Sequence, residues 1–171
     1  MTMIATLKYF VISVVISIGA FAVYQPHIDN PLPLIADEYV HISLALQLLN
    51  EEILPFTNPY IATPTPHANY QAGFHFLLAG IFAITPGDPV LMYQYFATIF
   101  FILNALLLFW VVKIWSKNTI AAIAAVLFFG TIPSVDGLLT QLFFVPLTLG
   151  ITLLLTSYLV LHRFIIAPSS K

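Results

Sequence analysis

The feature that most constrains this chain is a set of apolar stretches of about 20 residues, the length at which an α-helix crosses a ~30 Å hydrocarbon core. Four of them fall at about 3–24, 90–112, 119–135 and 138–161. The composition follows from them: 60% of the 171 residues are hydrophobic and 7% are charged, against about 25% charged in soluble domains. A chain of this length cannot close a core around so much apolar surface in water, whereas lipid accepts it directly. The fold class expected is therefore an all-α integral membrane protein. Lys8, Trp115 and Tyr158 stand where interfacial anchors belong. With no cysteine there is no disulfide framework, thiolate metal site or cysteine nucleophile.

A fifth apolar stretch, 70–85, is 16 residues long and reaches only about 24 Å as a helix. It is flanked by Pro64, Pro66 and the Pro86-Gly87-Asp88-Pro89 turn. The bias of Lys and Arg towards the cytoplasm decides its role. If it crossed, Lys113, Lys117, Arg163 and Lys171 would lie on the side opposite Lys8. If it stays at the surface, all five basic residues share the cytoplasmic side, and Asp29, Asp37, Glu38, Glu51, Glu52, Asp88 and Asp136 face outwards. The expected arrangement is four transmembrane helices with both termini cytoplasmic, in a bacterial or archaeal plasma membrane or the endoplasmic reticulum. Ala20-Phe21-Ala22 has the small-x-small form of a signal-peptide cleavage site, but the apolar run continues to Tyr24, as in a retained anchor.

Between the first two spans lies an exocytoplasmic loop of about 65 residues, 25–89, and loops of that length are usually functional. Its prolines predict an extended segment over 25–36. A helix is expected over 37–54, stopped by Pro55, with Ile42, Leu46, Leu49 and Ile53 as its apolar stripe and Leu44 and Leu48 off it. Proline-rich 55–69 reads as a structured or substrate-contacting loop, and 70–85 as a second juxtamembrane helix. Sequence 1–171 is thus one membrane domain of four spans and two juxtamembrane helices.

Asp37 and Glu38 are adjacent carboxylates at the start of the first loop helix, with His41 one turn on and on the same face as Asp37. They suit a general base or a cation ligand, though capping of the helix dipole would equally account for them. Asp136, at the outer end of the third span, is either a third member of that site or an interfacial cap. His67 and His75 are candidate ligands or hydrogen-bonding core residues. Asn104 and Gln141 read as interhelical hydrogen-bonding residues. No phosphate-binding glycine loop, metalloprotease helix motif, nucleophile elbow or basic nucleic-acid stretch is present, so no nucleic-acid partner is expected.

The order of motifs resembles the GT-C membrane glycosyltransferases, in particular the protein O-mannosyltransferase and lipid A aminoarabinose transferase branch. The residues that carry the resemblance are Ala36-Asp37-Glu38-Tyr39 opening a helix with Ala45 and Leu48-Leu49, then Pro55 and Asn58-Pro59-Tyr60. Next come Tyr70-Gln71-Ala72-Gly73-Phe74-His75 opening a second helix, Val111-Val112-Lys113-Ile114-Trp115 and Ser134-Val135-Asp136. The resemblance implies sugar transfer from a polyprenyl-phosphate carrier to an acceptor on the exocytoplasmic face. It implies Asp37 as the catalytic carboxylate and Glu38 in support, with Asp136, His41, His67, Asn69, Tyr70 and His75 as substrate-binding candidates. The family continues through further spans, so this chain corresponds to an amino-terminal region, with donor-phosphate contacts expected from the remainder or from a second chain. Where relatives often carry a charged residue before the second helix, this chain has His67-Ala68-Asn69. That leaves the metal ligands unassigned, with a divalent cation compatible but not required. The reading from a different class is a non-catalytic membrane subunit acting through a partner. A transporter component ranks last, because no span carries an ionisable residue in its middle.

Overall fold

The computed structural model describes residues 3–51, 71–131 and 144–166. His67, Asn69, Tyr70, Asp136 and Gln141 lie outside the described residues. Among these residues seven helices follow in order: α1 Met3–Tyr24, α2 Pro26–Asp29, α3 Ala36–Glu51, α4 Ala72–Ile84, α5 Pro89–Ser116, α6 Thr119–Thr131 and α7 Pro146–Ile166. Among the described residues there is no strand. α1, α5 and α7 are long and apolar enough to cross a membrane. α4 and α6 have 13 residues each, about 20 Å of rise, so three crossing helices are what the described residues provide.

Several boundaries differ from the sequence expectation, each for a local reason. Phe144 and Val145, inside the expected 138–161 span, are non-helical, and α7 starts at Pro146. Proline at the first helical position has no N–H to lose, and it pushes the residue before it out of the helical region. α5 begins at Pro89 under a cap in which Asp88 Oδ1 accepts from the Val90 amide at 2.8 Å, and it ends at Lys117, whose φ of 53° is left-handed. The 25–36 segment is not extended throughout: Pro26 opens one helical turn, α2. On α3 the buried face is Glu38, His41, Ile42, Ala45 and Leu48, while Leu49 is exposed. The stripe drawn through Leu46 and Leu49 is therefore displaced from the true one, because α3 buries a polar corner that hydropathy alone does not count.

Side-chain pairings fix how the long helices run. At one end of the α1–α5 pair Tyr24 Oη meets Gln94 Oε1 at 3.4 Å and stacks on Tyr95. At the other, Lys113 Nζ reaches Tyr9 Oη at 3.4 Å. α1 and α5 are antiparallel, so the end of α1 and the start of α5 lie at the same end of the bundle. α7 runs parallel to α5. Phe144 packs on Phe96 and Phe100, and one turn deeper Asn104 donates to the Thr148 carbonyl and accepts from Thr152 Oγ1 at 2.7 Å. Asn104 thus serves as the interhelical hydrogen-bonding residue its position suggested. This register carries Arg163 to the same end as Tyr9 and Lys113.

Among the described glycines the closest approach is at Gly19, where a Cβ would lie 2.4 Å from Phe101 Cζ. The ring is buried, stacks on Phe129 and also closes on Gly130, so it can move only at the expense of those contacts. Gly19→Ala is expected to cost about 1–3 kcal/mol by overpacking, read as an earlier midpoint in detergent unfolding. In a Phe101→Leu background the same change should cost less, and equal cost in both backgrounds would remove the clash as its cause.

Candidate active site

The acidic end of the bundle is built where α3 lies on α4 and both reach α5 and the entry to α7. Tyr39 and Val40 keep α3 half-buried, so Asp37 and Glu38, adjacent in sequence and about 100° apart around the helix, meet different surroundings. Glu38 is 2% exposed. Its Oε2 accepts from the Leu34 amide at 2.9 Å and its Oε1 from the Phe144 amide at 3.1 Å, a residue 106 positions away. The Tyr93 hydroxyl donates to the Phe144 carbonyl, so both backbone polar groups of Phe144 are held by side chains. The Phe144 ring fills the space between Phe74, Tyr93, Phe96 and Phe100. Burial pushes the Glu38 carboxyl upwards, and the amides of Leu34, Phe144 and Ile35 pull it back towards the charged form.

Asp37 points the other way, its side chain 61% exposed, with Oδ2 3.4 Å from His41 Nε2. That distance is within ion-pair range, although the geometry is not that of a hydrogen bond. His41 is buried, and its Nδ1 lies 2.9 Å from His75 Nε2. One of these two nitrogens donates and the other accepts. The assignment that faces no lone pair against the carboxylate has His75 Nε2–H donating to His41 Nδ1, which leaves the His41 Nε2–H turned to Asp37. Phe74 sets its ring edge-on against His41 at 5.0 Å. The series runs from an accessible carboxylate through a buried imidazole to a second one. The fold brings together Asp37, Glu38, His41 and His75 from the sequence candidates.

Burial, and then the neighbouring His41, lower His75 to about 4 against the weaker opposing pull of Asp37. Burial likewise lowers His41. The unfolded chain binds its histidine protons near pH 6.5. The stability that His75 contributes is therefore complete above pH 6.5 and is lost as pH falls towards 4, by up to about 3 kcal/mol. Glu38 acts with opposite sign, since a raised folded value adds stability on the acid side. The unfolding midpoint of wild type should drop between pH 6.5 and 4, and His75→Gln, which keeps a donor towards His41, should flatten that drop. Superimposable pH profiles for the two proteins would remove His75 as the titrating group.

A carboxylate open to solvent can take a proton from a hydroxyl group, and the neutral imidazole beside it turns an N–H towards that carboxylate. The arrangement offers no cation of its own. Among the described residues no three His, Asp or Glu side chains gather as a metal site, and no Lys or Arg occurs between positions 8 and 113. Tyr93 and Phe144 were not among the sequence candidates. Tyr93 could have been suspected as a hydroxyl one turn into an apolar span, where a buried phenol needs a partner. Nothing local marks a backbone amide as the partner of a distant carboxylate. No family model, curated protein or solved structure matches this chain.

Proposed function

We propose that this chain forms the amino-terminal membrane region of a GT-C-like glycosyltransferase, moving a sugar from a polyprenyl-phosphate carrier to an acceptor at the exocytoplasmic face. Four spans, with both termini on the cytoplasmic side of a bacterial or archaeal plasma membrane or the endoplasmic reticulum, belong to this reading. Asp37 is the base. The acceptor oxygen bonds to the anomeric carbon, the bond from that carbon to the phosphate oxygen breaks, its electron pair leaves with the polyprenyl phosphate, and the acceptor proton passes to Asp37. The observation that carries the reading is the division of two neighbouring carboxylates into an accessible one beside a buried histidine pair and a buried one occupied by backbone amides. Glu38 then supports the site by position rather than by touching the reactants. His67, Asn69, Tyr70 and Asp136 are proposed as further substrate contacts. The test is transfer from a polyprenyl-phosphate sugar by the full assembly carrying Asp37→Asn, with membrane insertion measured beside it.

One observation favours the second reading, a non-catalytic subunit acting through a partner. The acidic end receives no Lys or Arg from this chain, so a departing phosphate needs counter-charge from a divalent cation or another chain. In that case Asp37→Asn leaves transfer unchanged, while substitutions that loosen the α3–α4 pair uncouple the subunits.

A further inference from the structure

The end of the bundle opposite Asp37 holds the start of α1 and the ends of α5 and α7, and with them Lys8, Lys113, Lys117 and Arg163. Among the described residues the ion pair is Asp37 with His41, and no carboxylate answers any of these four cations. Their compensating charge has to come from elsewhere.

Lys113 differs from the other three in being held. Its Nζ lies 4.6 Å from the Trp110 ring centroid, 5.2 Å from Tyr9 and 5.4 Å from Phe109. Cation–π contacts of this kind fix an ammonium without consuming it, because ring faces are not lone-pair acceptors and the N–H groups stay able to meet an anion. The ammonium also donates to Tyr9 Oη at 3.4 Å. Accepting through its oxygen leaves the Tyr9 hydroxyl hydrogen able to serve a second acceptor. Two groups able to donate, one from each helix, thus stand side by side at the α1–α5 seam. Trp115, 83% exposed in the last turn of α5, sets that place at headgroup depth, where tryptophan collects.

The geometry points to a lipid-phosphate site at this seam, in which Lys113 and Tyr9 hold the headgroup phosphate of an anionic glycerophospholipid from the adjacent leaflet. Lys8, Lys117 and Arg163 raise the local potential that draws such a lipid. An anionic lipid fits better than a zwitterionic one, since choline would bring a cation back to a place already in excess of positive charge. The site is independent of the glycosyltransferase reading.

The experiment uses the full chain purified in detergent, with lipid retention followed by native mass spectrometry on adding phosphatidylglycerol or phosphatidylcholine at equal concentration. Wild type should retain phosphatidylglycerol preferentially. Lys113→Gln should bind it about fivefold more weakly, Tyr9→Phe should show a smaller loss, and Lys117→Asn, which suits the left-handed backbone there, should show the smallest. Equal retention of the two lipids by wild type, or unchanged phosphatidylglycerol binding by Lys113→Gln, would overturn the site. Displacement by millimolar inorganic phosphate would assign it to a soluble anion and overturn the lipid. If Lys113→Gln does not fold, the salt dependence of wild type decides: the preference should shrink as ionic strength rises, and a salt-insensitive preference overturns the proposal.

Discussion

On the proposed glycosyltransferase reading, Asp37→Asn is expected to lower sugar transfer by about 10²–10⁴-fold, the usual contribution of a positioned general base, while leaving the fold in place. The side chain is 61% exposed and its one described polar neighbour is His41 Nε2 at 3.4 Å. Asparagine keeps the shape and still places an oxygen beside that nitrogen. What it loses is basicity, together with the interaction of a negative charge with the start of α3, worth about 0.3–1 kcal/mol at an exposed helix terminus. A role confined to the helix dipole predicts that small stability change and no change in rate. The two readings differ by orders of magnitude in turnover and hardly at all in stability. Transfer by the assembled protein, measured with insertion and unfolding midpoint, separates them, and a wild-type rate in Asp37→Asn would leave the base unassigned. On the same reading His41→Gln should fall between wild type and Asp37→Asn, since it removes the imidazole N–H that faces the carboxylate but leaves the carboxylate itself.

Much of the architecture was legible because lipid imposes rules that act on single segments. The runs that became α1 and α5 could be placed from length and hydropathy, and proline and aspartate punctuation marked the start of α5. The antiparallel α1–α5 pair agrees with the reasoning from Lys8, Lys113 and Lys117, since a basic residue can be assigned to a side without knowing what it touches. The break at Phe144 and Val145 was not legible, because apolar residues there look like span by composition and only the geometry demanded by Pro146 starts the described helix after them. The site was half legible. Asp37 and His41 could be paired from their four-residue spacing, but the meeting of His41 with His75 and of Glu38 with Phe144 depends on how α3 lies on α4 and where the α7 entry falls. Those are long-range facts, carried by aromatic packing around Phe144 that no periodicity encodes. The α3 stripe failed for the same reason: Glu38 and His41 belong to its buried face because partners await them there.

Glu38→Ala should be the most destabilising single change at the acidic end, by about 3–5 kcal/mol. Two hydrogen bonds from backbone amides to a carboxylate are removed, each worth about 1.5–3 kcal/mol, and the Phe144 amide, buried beneath Phe74 and Phe100, is left without its acceptor. Glu38→Gln should cost less, about 1–3 kcal/mol, because one amide oxygen can replace one carboxylate oxygen while the NH2 group must face the other backbone donor. Tyr93→Phe removes the hydroxyl that holds the opposite side of the same peptide unit and should cost about 1 kcal/mol. Because both side chains restrain Phe144, the double variant Glu38→Gln with Tyr93→Phe should depart from additivity by about 0.5–3 kcal/mol, as groups sharing one partner do. Hydrogen exchange at the Phe144 amide reports the local event directly and should quicken in Glu38→Gln before the midpoint of global unfolding moves far. If that amide stays protected in Glu38→Ala, the carboxylate is not what fastens the entry of α7 to α3. Transfer should fall in step with this loosening, so a Glu38→Gln protein with intact Phe144 protection and abolished turnover would instead make Glu38 a catalytic residue, and its burial would then have to be relieved during the reaction.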